Sequence, residues 1–162
     1  MGFLDMLFGN KRNAESGSAK PALTQKENQN FSGPLPPGDA GEFVGAARAA
    51  WHLRDFDQAR LMYQKSAYAA SIIQDAQLKE RVNSMIKAEQ AKYVVNDPLF
   101  NSIVSAALSV IQSSPGIIQS KLYAHLPYER EQTQWALYYA EVLGKVRREK
   151  KGNSYALSPG NV

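Results

Sequence analysis

Past residue 41, apolar side chains recur every three or four positions through one stretch after another, and only the stretch after residue 144 alternates. A period of three to four lines up one face of a helix; a period of two lines up one face of a strand. The pattern predicts a mainly α fold with a small C-terminal β-hairpin. Hydrophobic residues make up 44% of the 162 positions, enough to build a core. The length suits one domain or two small ones.

The helices are placed by their stripes and their breaks. Phe43, Ala47, Ala50 and Trp51 form the first stripe, ended at Arg54-Asp55. Ala59, Tyr63, Ser66, Ala67, Ala70 and Ile73 share a face of the second helix. Leu78, Val82, Met85, Ile86 and Tyr93 point inward from a third over 75–95. Asp97 is a natural cap for the next helix, with Pro98 in its first turn, where a missing N–H is harmless. Helices are then expected over 99–113, 117–126 and 128–143, with Gly144 as the C-terminal stop. Lys151-Gly152-Asn153 separates Val146, Arg148 and Lys150 from Ser154-Tyr155-Ala156-Leu157, and Gly and Asn suit the positive φ angles of a hairpin turn.

Residues 1–40 read as a flexible arm. Ser32-Gly33-Pro34-Leu35-Pro36-Pro37-Gly38 is a run of turn formers, and the charges of the arm cancel. Residues 1–9 are apolar and precede the basic pair Lys11-Arg12, the reverse of a secretory signal. They offer at most a weak peripheral membrane contact. No apolar run is long enough to span a membrane. The absence of cysteine excludes disulfides and thiol chemistry and fits a cytoplasmic setting. Phosphate-cradling Gly-Lys-Ser/Thr loops and closely spaced His or Asp metal motifs are missing as well. Asp55 and Asp57 stand at a helix start, and His52 and His125 near helix ends. No catalytic residue, cofactor or metal site is expected.

The C-terminal part, residues 97–162, resembles the winged helix-turn-helix family. The resemblance is carried by Thr133, Ala136, Leu137, Ala140 and Leu143 stepping to Gly144, followed by the basic hairpin 145–157. It implies a DNA-binding module, of the kind found in bacterial-type transcription regulators or accessory factors. The third helix would enter the major groove and the wing would grip phosphates. On that reading Arg130, Glu131, Gln132, Gln134, Trp135 and Tyr138 face outward. Arg130 and Gln134 are the preferred base readers, with Gln132 beside them. The wing supplies Lys145, Arg147, Arg148, Lys150 and Lys151, together with Asn153 and Tyr155. Residues 97–162 hold seven basic groups against five acidic ones, so steering must come from clustering rather than net charge.

Residues 50–67 resemble the turn and second helix of a tetratricopeptide repeat, with Phe56, Ala59, Tyr63 and Ser66 at its packing positions. Arg54 stands where that family prefers glycine. The pattern does not recur one repeat later, so 41–96 is a three-helix tetratricopeptide-like segment rather than a solenoid. The resemblance implies binding to a protein partner or self-association. Trp135, Tyr138 and Tyr139 are the candidate partner-binding residues of an alternative, in which the whole chain is a protein–protein adaptor.

Overall fold

Three aspartates start three of the helices. In a computed structural model of the chain, which describes residues 33–161, the Asp55 carboxylate accepts a hydrogen bond from Gln58 N at 3.2 Å, Asp75 from Leu78 N at 2.9 Å, and Asp97 from Leu99 N at 2.9 Å. Each satisfies a backbone N–H that the helix itself leaves unpaired. The helices are α1 (Asp39–His52), α2 (Phe56–Ser71), α3 (Ala76–Tyr93), α4 (Pro98–Ser113), α5 (Gln119–Leu122) and α6 (Arg130–Val142). Single 3-10 turns follow α3 and α5, at Val94–Asn96 and Tyr123–His125. The strands are β1 (Ile117–Ile118), β2 (Val146–Lys151) and β3 (Ser154–Pro159). The described residues are thus mainly helical, with one small antiparallel sheet near the C-terminus. None of their helices is by itself long and apolar enough to cross a membrane. The apolar start, residues 1–9, and the arm through residue 32 lie outside the described residues.

The chain forms two compact units that divide between Gln90 and Ala91, inside α3. In the first, Ser66 Oγ donates to Ala40 O at 2.7 Å, tying the late part of α2 to the start of α1, so the two helices run antiparallel. Val44, Ala47, Ala59, Met62, Tyr63 and Ala70 fill the space between them, and small residues there permit close approach. Val44 and Met62 belong to this core although the sequence stripes passed over them. Ala67 and Leu78, expected inside, are exposed. Leu78 lies in the first turn of α3, before Val82 and Ile86, which are buried. Arg48 makes a bidentate pair with Glu89, 2.6 Å at each contact, joining α1 to α3.

The segment before α1 is not a free linker. Arg48 Nη1 donates to Gly33 O at 2.9 Å, and Pro36 is buried. A Cβ on Gly41 would come within 1.8 Å of Pro36 O, so the strap 33–37 lies against α1 where only glycine leaves room. The connection from α1 to α2 turns on Arg54, whose φ is 56°. Arg54 N donates to Trp51 O and Asp55 N to Ala50 O, the paired bonds of a Schellman ending.

In the second unit α4 contributes Phe100, Ile103, Ala107 and Ile111, spaced three and four apart, to a core shared with Leu122, Leu126, Ala136, Leu137, Ala140, Val146 and Leu157. The sheet order is β1-β3-β2. Ile117 and Ile118, read from sequence as the start of a helix, instead pair with Leu157 and Ala156. Gly116, at φ 84°, turns the chain so that its N–H reaches Leu157 O at 2.7 Å, and two β-branched residues extend easily from there. The expected hairpin is therefore two strands of a three-stranded sheet, and α5 is one turn long.

Candidate nucleic-acid interface

Helix α6 ends in the same motif as α1, here with glycine in place. Gly144, at φ 73°, donates to Glu141 O, and Lys145 N donates to Ala140 O. That stop launches β2 immediately, so helix and hairpin are joined through a tight bend rather than a loose loop. At 100° per residue, Arg130, Gln134 and Glu141 fall within about 40° of one another on one flank of α6. Arg130 and Gln134 are exposed. The Arg130 guanidinium lies 5.3 Å from the centroid of the Tyr123 ring, and the Tyr123 hydroxyl accepts from Gln119 Nε2 at 2.5 Å. Gln119 is buried, so α5 holds the aromatic plate on which Arg130 rests. Gln132 does not join this flank. It is half-buried and lies about 160° round the helix from both Arg130 and Gln134, because the helical period carries it toward the buried side.

The hairpin register sorts the basic residues into two sets. β2 pairs with β3 from Val146 opposite Pro159 to Lys151 opposite Ser154, leaving Gly152-Asn153 as a two-residue turn. Gly152 has φ 58°, whereas Asn153 has no positive φ, so the turn needs only the first of the two expected positive angles, as in type II′. Strand alternation puts Val146, Arg148 and Lys150 on the face that packs toward α6, with Tyr155 and Leu157 opposite them. Arg147, Glu149 and Lys151 point to the other face. Arg147, Lys150, Lys151 and Asn153 are exposed, and Lys145 is half-exposed.

Arg148 is the exception among these cations. Its side chain is only 8% exposed. The guanidinium lies 4.1 Å from the Tyr155 ring centroid, and Nη1 reaches Glu141 Oε2 at 3.4 Å. Arg148 and Tyr155, both expected to meet DNA, are turned inward on each other because they share the strand face that begins with buried Val146. The contact also answers the negative charge of Glu141 on α6.

The aromatic residues of α6 are built into the unit's own packing. Trp135 meets Phe100 of α4 edge-on at 5.9 Å and Tyr139 at 6.2 Å, and Tyr138 meets Tyr139 at 5.0 Å. Tyr139 is buried; desolvation first, and the neighbouring Tyr138 second, push its phenol well above the ordinary tyrosine range. Tyr139 is therefore no surface residue, and Trp135 and Tyr138 are half-buried over the core.

Elsewhere, Asp55 is taken up as a helix cap and Asp57 pairs with Arg60. Among the described residues no three His, Cys, Asp or Glu side chains gather as metal ligands do. The contacts that sequence reading missed are Gln119–Tyr123–Arg130 and Glu141–Arg148–Tyr155. The second was open to view in the alternation itself, since an inward Val146 makes Arg148 inward as well. Models of protein families, curated proteins and solved structures offer no match to this chain.

Proposed function

We propose that residues 97–162 act as a winged-helix module that binds double-stranded DNA, as a transcriptional regulator or accessory factor. The observation that carries this reading is the Glu141–Arg148 contact, which joins the strand face bearing Lys150 to the α6 flank bearing Arg130 and Gln134. An α-helix fits the major groove, and Arg and Gln are suited to guanine and adenine edges. Lys145, Arg147, Lys150 and Lys151 are then free to meet phosphates on either side of the hairpin. Glu141, which would repel the backbone if bare, is partnered by Arg148.

Replacing Lys145, Arg147, Lys150 and Lys151 together by Ala tests the proposal. Affinity for duplex DNA should fall, and the dependence of log K on log salt should flatten by roughly one unit per lost phosphate contact. An intact chain that fails to bind duplex even at low salt overturns the proposal.

A second reading, protein contact or self-association through the tetratricopeptide-like segment, is favoured by one observation. Tyr68, in the last turn of α2, and Ile72, just past its end, are 62% and 58% exposed. The adaptor reading based on α6 loses support, since Trp135 and Tyr139 already pack against Phe100 and each other. If Tyr68 and Ile72 carry a self-contact, Tyr68→Lys with Ile72→Lys lowers the sedimentation coefficient of the chain.

A further inference from the structure

Arg148 presents a contradiction if every wing cation is taken as a phosphate ligand. It stands in the middle of the basic run, yet its side chain is almost wholly buried. It touches three elements: it belongs to β2, stacks on Tyr155 of β3 and reaches Glu141 of α6. Its Nε is buried without a hydrogen-bond partner, so charge and ring stacking hold it. Lys150, two residues on, shares its strand face and is exposed. Gly144 permits the bend between α6 and β2 but fixes no angle further out along the hairpin.

We infer that Glu141, Arg148 and Tyr155 form a clamp that sets the angle of the hairpin against α6, so that Lys150 meets the same duplex as Arg130 and Gln134. Arg148 is a positioning residue and does not touch the DNA. This rests on the DNA-binding reading for its functional consequence, but the clamp itself has a signature without DNA. A loosened clamp frees the hairpin amides to exchange while the core of the unit stays protected.

The two roles of Arg148 give opposite signs for one substitution. If Arg148 is a phosphate ligand, Glu141→Gln removes a nearby negative charge, releases the arginine and tightens DNA binding. If Arg148 is a clamp, Glu141→Gln loosens the hairpin and weakens binding.

The test measures anisotropy of a labelled mixed-sequence duplex with the full chain, and hydrogen exchange of the free full chain. Glu141→Gln and Tyr155→Leu should each weaken binding about 3- to 10-fold. Tyr155→Phe, which keeps the ring, should recover most of the loss seen with leucine. Exchange in β2 and β3 should quicken in Glu141→Gln and in Arg148→Met, with α4 unchanged. Tighter binding by Glu141→Gln, or hairpin exchange unchanged in both variants, overturns the clamp. A wild-type chain that binds no duplex overturns the DNA reading instead, and the exchange result still decides the clamp.

Discussion

Arg54 and Gly144 occupy the same place in two helix endings, and the difference between them is measurable. A residue with a Cβ in the left-handed region costs roughly 1–2 kcal/mol, partly offset by the smaller chain entropy it brings to the unfolded state. Arg54→Gly should therefore stabilise the chain by about 0.5–1 kcal/mol and raise Tm by a few degrees, read by thermal unfolding. Gly144→Val should do the reverse, by more than 1 kcal/mol or so. The sequence marked both sites, one as a glycine stop and the other as the position where the repeat that this stretch resembles prefers glycine. Tyr139 gives a prediction in pH. Its folded phenol titrates above its unfolded one, so the stabilisation is complete below the unfolded value of about 10 and is lost as pH rises through the folded value. Alkaline unfolding should steepen above about pH 10, and Tyr139→Phe should remove about one proton from that dependence. Tyr139, offered by the sequence as a partner-binding residue with Trp135 and Tyr138, is buried because helical spacing puts it on the core-facing side of α6 beside Ala136.

At the scale of elements, the helices with amphipathic stripes and aspartate caps were readable, because both signals are local. Ile117 and Ile118 were not. Two apolar residues before a helical stretch fit either a helix or a strand, and only the distant partner, β3, decides between them. The strap 33–37 was hidden for a related reason. Its composition says that it is not helical, but its place against α1 depends on a glycine in the first turn of that helix. Gly41→Ala would ordinarily favour a helix by about 1 kcal/mol. Here the added methyl runs into Pro36 O, so the substitution should destabilise the first unit by about 1–3 kcal/mol, measured by denaturant unfolding. A stabilised Gly41→Ala chain would show that the strap yields at no cost.

For the whole molecule, the sequence put a boundary at Asn96-Asp97, whereas the chain divides between Gln90 and Ala91, because Ala91 and Val94 pack with the second unit. The basic run was legible in full, whereas its sorting into exposed and inward members needed the register of β2 on β3. The proposed DNA-facing surface draws on both, since it requires α6 and the hairpin to act as one. The most direct measurement is a map of backbone amide shifts in the full chain as a mixed-sequence duplex is added at low salt. One surface predicts that Arg130, Gln134 and Lys150 shift together and saturate at a common duplex concentration. Absent shifts, shifts confined to the end of α2 and the residue after it, around Tyr68 and Ile72, or α6 and hairpin shifts that saturate separately would contradict the account.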